Sequence, residues 1–335
     1  MSERTSVTVS DQNITFAQAL NQALDGELAR DPSVFLLGED IVDPAGGVAK
    51  VTLGLSTKYG RKRVRESPIS EQAIIGAATG AAMCGMRPVA EIMIADFYAV
   101  CLDQLVNHAA KLRYMSGGRT HVPITVRGMS TGGMMFGAQH SQMPEAWMAH
   151  TPGLKVVIPS TPADAKGLLT AAIRDDDPVI CIESAGLYAS KGPVPEGEYV
   201  VPLGKADVKR AGSDVTLITY GKTVHDSLEA AEQLAGDVDV EVLDLRSIVP
   251  WDAEAMIASV TRTRRAVVVH QAVQRFGVGA EIAAWLSQEL WGTLQAPVAR
   301  VGGEYTPVPY SPELEAAHLP SAARIVDAVR NLCKS

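Results

Sequence analysis

Val156-Val157-Ile158-Pro159, then a helical run from Ala163 to Ile173, then Val179-Ile180-Cys181-Ile182, decide the fold. Two short apolar runs rich in β-branched residues flank a segment with helical spacing, so strand, helix and strand follow one another and the strands pair in parallel. Working toward the N-terminus, Val122 to Arg127 and Val89 to Ile94 read as two more buried strands, the latter entered through Arg87-Pro88. It runs into Asp96-Phe97-Tyr98, where a long helix to Leu112 is expected. A helix over 14–29 places Phe16, Leu20, Ala23 and Leu28 on one side, and Val34 to Leu37 is the strand after it. Toward the C-terminus, the proline- and glycine-rich stretch Lys191 to Glu198 has little to bury. Strands are then expected at Val215 to Tyr220, Val240 to Leu245, Ala266 to His270 and Val298 to Val301. Helices are expected at Val224 to Leu234, Ala253 to Val260, Gly279 to Leu290 and Ala322 to Leu332. The expected class is α/β, with two open, mostly parallel, doubly wound domains: 1–190, a linker at 191–204, and 205–335. Polar groups cluster at the strand ends of the first half, which places any chemistry there.

Composition supports two cores: 335 residues, 47% hydrophobic, with 29 glycines. Thirty basic residues against 38 acidic give a net charge of −8, and no basic stripe interleaved with aromatics occurs. A nucleic-acid partner is not expected. Cys84, Cys101, Cys181 and Cys333 lack the short paired spacing of a zinc site, and read as small buried hydrophobes in a reducing compartment. Met1 to Ser10 shows no secretory or transit signal, and no run of about 18 apolar residues spans a bilayer. The expectation is a soluble bacterial cytoplasmic protein with no membrane partner.

Ser67-Pro68-Ile69-Ser70-Glu71-Gln72 joins a proline-fixed extended segment to a helix. Ser70 is placed as its N-cap and Glu71 in its first turn. One reading is purely structural, with Glu71 complementing the helix macrodipole. The other starts from the run Ile74 to Met83, apolar or small on every side and so expected to be buried. A carboxylate at the buried end of such a helix is a candidate for proton chemistry. No P-loop, dinucleotide fingerprint, nucleophile elbow or zinc-type histidine pair is present. Phe97 and His140 remain. Phe97 can stack on a flat ligand or sit in the core. His140 lies on the glycine- and methionine-rich loop 130–141, where it can act as a general acid or base or serve as a structural hydrogen-bonder.

Several ordered blocks carry a resemblance: Gly38-Glu39-Asp40, Arg65 to Glu71, Asp103-Gln104, Tyr114 to Gly118, Ala138 to Gln142, Pro152 to Val157, Asp244 to Pro250 and Phe276 to Ile282. Together they closely resemble the β subunit of the E1 component of thiamine-dependent 2-oxo acid dehydrogenase complexes, the pyruvate, branched-chain and acetoin group. The resemblance implies a transketolase-like pyrimidine-binding domain followed by a transketolase C-terminal domain. It implies that Glu71 hydrogen-bonds N1′ of the thiamine diphosphate aminopyrimidine, favouring the imino tautomer that removes the thiazolium C2 proton. His140 is then placed beside the reaction centre, and Ile69, Met93 and Phe97 line the pyrimidine pocket. A structural potassium ion is implied at Ile124, Ala172, Ile173, Asp175 and Asp177, mostly through carbonyl oxygens. The chain departs from many relatives at Glu66-Ser67 and at Gln271, where an acid is common, and Asp177 replaces an asparagine.

The family's diphosphate and magnesium block, Gly-Asp-Gly followed by Asn, is absent. The resemblance therefore implies a separate α subunit that supplies magnesium and shares the cofactor in an α2β2 heterotetramer. It also implies an enzyme that decarboxylates a 2-oxo acid or cleaves acetoin and passes the acyl group to a lipoyl-bearing E2 acyltransferase. Two alternatives stand beside it: a non-redox thiamine-dependent carboligase or transketolase-like subunit, and a non-catalytic assembly subunit.

Overall fold

The computed structural model describes residues 11–334. The expectation for Met1 to Ser10 falls outside them. A seven-stranded sheet runs in the order Ser247–Val249, Lys155–Val157, Val179–Ser184, Thr125–Ser130, Arg87–Ile94, Val34–Gly38, Val64–Glu66. All neighbours pair in parallel except Ser247–Val249, which is antiparallel. The opening strand-helix-strand unit is realised as Lys155–Val157, the helix Pro162–Arg174 and Val179–Ser184. Thr161 caps that helix by accepting from the Asp164 N–H, and Pro162 opens it where a missing donor costs nothing. A second sheet of five strands runs Ala299–Gly303, Ala266–Val273, Val215–Thr219, Val240–Asp244, Asp207–Arg210, with the last antiparallel. Central strands of both sheets are buried on both faces, as helix-covered parallel strands must be. The architecture is the expected α/β class, two mostly parallel sheets covered by helices.

Several local expectations are corrected. The strand at 122–127 begins only at Thr125, because Pro123 has no N–H to give a ladder. The helix expected from 96 to 112 is three pieces: a 3-10 segment Ala95–Cys101, a π segment Asp103–Ala109 and an α-helix Ala110–Met115. Ala95, Tyr98 and Cys101 are all buried at intervals of three, which is the 3-10 repeat. Ser247–Val249, from the second half of the chain, completes the first sheet. Within the expected linker, Lys191–Pro195 is a strand paired with Asp11–Thr15. The helix Glu71–Met83 is not buried all round: Glu71, Ile74, Ile75, Ala78 and Ala82 face inward, while Ala73, Gly76, Ala77 and Gly80 are exposed. Hydropathy does not separate alanine and glycine into faces, so the open side was invisible in the pattern. Among the described residues no helix is long and apolar enough to cross a membrane.

Candidate active site

The carboxyl ends of the parallel strands gather the candidate residues on one edge, the position where open α/β sheets build their sites. Val34–Gly38 delivers Glu39, Val64–Glu66 delivers the turn to Glu71, Arg87–Ile94 delivers Asp96 and Phe97, and Thr125–Ser130 delivers the loop to His140.

Glu71 opens its helix and is 8% exposed. Ser70 does not cap: its φ of −168° and ψ of 77° turn the hydroxyl away and no side-chain bond forms. Ser67 instead donates its hydroxyl to the Pro68 carbonyl, and its N–H to the Gly38 carbonyl, tying the turn to the sheet. Among the described residues no hydrogen bond or ion pair reaches the Glu71 carboxylate. Its charge is felt nearby. Burial first, and then Glu71, pushes the Cys101 thiol up to about 12. Burial, Glu71, Asp40 and Glu91 together raise the Glu39 carboxyl.

Phe97 and His140 meet edge to face, with ring centroids 5.2 Å apart and planes at 80°. Met93 and Phe97 pack on one small cluster with Ile94, Met129 and Ala185. Ile69 stands apart on the rim, 82% exposed. The structure thus joins Met93, Phe97 and His140, places Glu71 beside the 3-10 segment that carries Phe97, and leaves Ile69 uncovered.

Residues not singled out beforehand complete the edge. Asp96 is buried; its Oδ1 accepts from both the N–H and the Nε2 of Gln142, two residues beyond His140, and its Oδ2 has no partner. Burial raises its pKa against those hydrogen bonds. Deeper in, Arg127 bonds Glu183 in bidentate fashion at 2.8 and 2.7 Å and also contacts Glu91, while the Tyr188 hydroxyl donates to Glu183 at 2.7 Å. Burial pushes the Glu91 carboxyl up, against the pull of Arg127. A cleft of about 770 Å³ opens beside the loop, walled by Leu53, Met129, Met134, Phe136 and Tyr188. The edge is acid-rich and edged by aromatic and thioether groups, which suits a flat, positively charged heterocycle.

The residues expected to hold potassium lie together at the far end of the sheet. The Ile124 carbonyl accepts from the Val179 N–H, and that of Ala172 from the Asp175 N–H. Arg87 Nη1 donates to the carbonyls of Ile173 at 3.2 Å and Asp175 at 2.9 Å. Burial pushes the Asp177 carboxyl up, but Arg113 and Lys155 outweigh it and hold the group below its usual range. Each carbonyl keeps a second lone pair, and those of Ile173 and Asp175 already face the Arg87 guanidinium. No cluster of three or more His, Cys, Asp or Glu side chains able to hold a metal occurs among the described residues.

Residues 12–191 match the transketolase pyrimidine-binding domain and residues 204–325 the transketolase C-terminal domain. The chain is 48% identical over 333 residues to the β subunit of acetoin:2,6-dichlorophenolindophenol oxidoreductase of Cupriavidus necator, covering 96% of this chain and 98% of that one. It is 46% identical to the mitochondrial pyruvate dehydrogenase E1 β subunit of Caenorhabditis elegans, covering 96% and 93%. The solved structure of a split-gene transketolase, an inactive β4 tetramer, shares the fold with a TM-score of 0.78 at 22% identity, covering 96% of this chain and 98% of that one. The chain therefore belongs to the transketolase family and, within it, to the E1 β subunits of thiamine-diphosphate-dependent acetoin and 2-oxo acid dehydrogenases, a group of oxidoreductases.

Proposed function

We propose that this chain is the β half of an α/β enzyme that cleaves acetoin or decarboxylates a 2-oxo acid, with thiamine diphosphate held where the two subunits meet. The observation that carries this reading is the buried carboxylate of Glu71, which makes no hydrogen bond or ion pair among the described residues and opens the helix packed against the 3-10 segment that carries Phe97. When bound, the cofactor supplies a carbon nucleophile and electron sink that no side chain offers. Glu71 holds the proton at the aminopyrimidine N1′. Met93 and Phe97 pack against the pyrimidine, Ile69 closes its rim, and His140 moves or holds a proton at the substrate carbonyl.

An α subunit supplies the diphosphate and magnesium ligands, in an α2β2 assembly that passes its acyl product to a lipoyl-bearing E2 acyltransferase. The open face Ala73, Gly76, Ala77, Gly80, beside exposed Ile69 and Val100, favours this partner: it is small and apolar, and a second helix can approach it closely. Potassium, at the oxygens of Ile124, Ala172, Ile173, Asp175 and Asp177, is part of the same proposal. So are domain limits at 1–190 and 205–335, and a bacterial cytoplasmic setting, which the four unbridged cysteines suit.

The test is co-expression with the α subunit, followed by turnover of a panel of 2-oxo acids and of acetoin with an artificial electron acceptor. Turnover of one substrate that requires thiamine diphosphate and magnesium supports the reading. A stable α/β assembly with cofactor bound and no turnover on any of them contradicts it.

A further inference from the structure

The loop that carries His140 belongs to the first sheet, yet it is held from the second domain. Glu315, in the helix Pro312–His318, is 2% exposed and uses both carboxylate oxygens on loop backbone: Oε1 accepts the Gly133 N–H at 2.9 Å and Oε2 the Met135 N–H at 2.8 Å. Gln271, at the end of Ala266–Val273, donates its Nε2 to the Gly132 carbonyl at 2.9 Å. Three backbone groups within the four residues 132–135 are thus bonded across the domain boundary.

The conformation they hold is one the chain would not keep unaided. Met135 has φ of 62°, in the left-handed region where a non-glycine side chain is strained, and Gly133 has φ of 89°. A Cβ at Gly132 would lie 2.3 Å from Gln271 Nε2, so a side chain there would push the amide off the Gly132 carbonyl. The clamp is itself braced, because the Glu304 N–H donates to the His318 carbonyl and fixes the end of the helix that carries Glu315. On the other limb, Thr131 Oγ1 donates to the His140 carbonyl and Asp96 fixes Gln142. With the near limb pinned by the second domain and the far limb by the first, the imidazole is left against Phe97.

We propose that Glu315 and Gln271 are positioning residues: they hold the loop 131–140 and through it set the reach of His140 into the reaction centre. The proposal rests on the reading of His140 as a group of that centre. It gives the C-terminal domain a part in the chemistry although none of its side chains lies among the first sheet's site residues.

The test is a double-mutant cycle of Glu315→Gln and His140→Ala in the α/β enzyme carrying thiamine diphosphate and magnesium. Glu315→Gln turns one accepting oxygen into an amide that faces a donor. It is expected to lower kcat about tenfold while KM and cofactor affinity stay within about twofold, and to change kcat less than about twofold in the His140→Ala background. Hydrogen exchange of the 131–140 amides is expected to rise about tenfold in Glu315→Gln. An equal kcat loss in both backgrounds, or no loss where His140→Ala itself is impaired, overturns the proposal. If His140→Ala turns over normally, the role of His140 fails, and unchanged exchange in Glu315→Gln then overturns the clamp as well. Should Glu315→Gln not assemble, Gln271→Leu takes its place, with an expected loss of about threefold and the same dependence on His140.

Discussion

At the carboxyl edge of the seven-stranded sheet two acids, Glu71 and Asp96, are left short of partners, whereas at the seam between the two sheets most of the acids meet a cation or a donor. Glu71 has no hydrogen bond or ion pair among the described residues, and Asp96 keeps one oxygen unbonded. In the seam, Asp164 receives Lys209 at 2.7 Å, Arg246 at 3.1 Å and the Thr161 hydroxyl at 2.7 Å, and the Ser160 hydroxyl donates to Asp244. Burial pushes Asp164 up, yet Lys209 and Arg246 outweigh it and hold the group low. Acids of the same type in the same α/β setting therefore do different work. Where the chain supplies the partner the group joins two domains, and where it withholds the partner the group is free for a ligand.

The largest test of that contrast is at the edge. Glu71→Gln is expected to lower turnover of the α/β enzyme by about a hundred- to ten-thousand-fold while the unfolding midpoint of the chain stays put, since the carboxylate bonds nothing in the fold. A large loss of stability instead would move Glu71 into the structural class. In the seam the opposite is expected. Asp164→Ala strands Lys209 and Arg246 and costs about 3 kcal/mol, toward the lower end for a broken buried pair because both cations are partly exposed. Urea unfolding reads it.

Glu145 sharpens the comparison, because it lies in the seam with one oxygen bonded by Tyr220 and the other by nothing. Burial raises its pKa from 4.5 to about 7. The fold thus prefers the protonated form. Its contribution to stability is fully present below about pH 4.5 and is lost as pH rises through about 7. Glu145→Gln keeps an acceptor for Tyr220 and cannot ionise. It should be more stable than the parent by about 3 kcal/mol at pH 8 and equal to it at pH 4. A constant difference across pH would assign the effect to packing rather than charge. The smallest effect is expected at Ile69, whose exposure leaves it little to stabilise. Ile69→Ala should shift stability by less than about 0.5 kcal/mol, while weakening capture of the α subunit in co-purification.

Much of the first half was legible in the sequence. Runs such as Val179 to Ile182 are buried on both faces and announce parallel strands, and the turn at Pro68 puts Glu71 at a helix start. What stayed hidden has two physical causes. The small-residue helix after Glu71 has no polar stripe to mark its open face, and 3-10 and π segments share the apolar content of an α-helix. Long-range side-chain bonds leave no local trace either: Glu315 and the loop it grips are about 180 residues apart, and Gln142 reaches Asp96 across 46. Asp96 alone had a usable signal, an acid directly after a buried strand.

The most direct test of the account is the rate at which the C2 proton of bound thiamine diphosphate exchanges with solvent deuterium, followed by NMR in the α/β enzyme with Glu71 and with Glu71→Gln. The variant is expected still to bind the cofactor but to exchange at least about a hundredfold more slowly. Equal exchange rates with cofactor bound in both would contradict it.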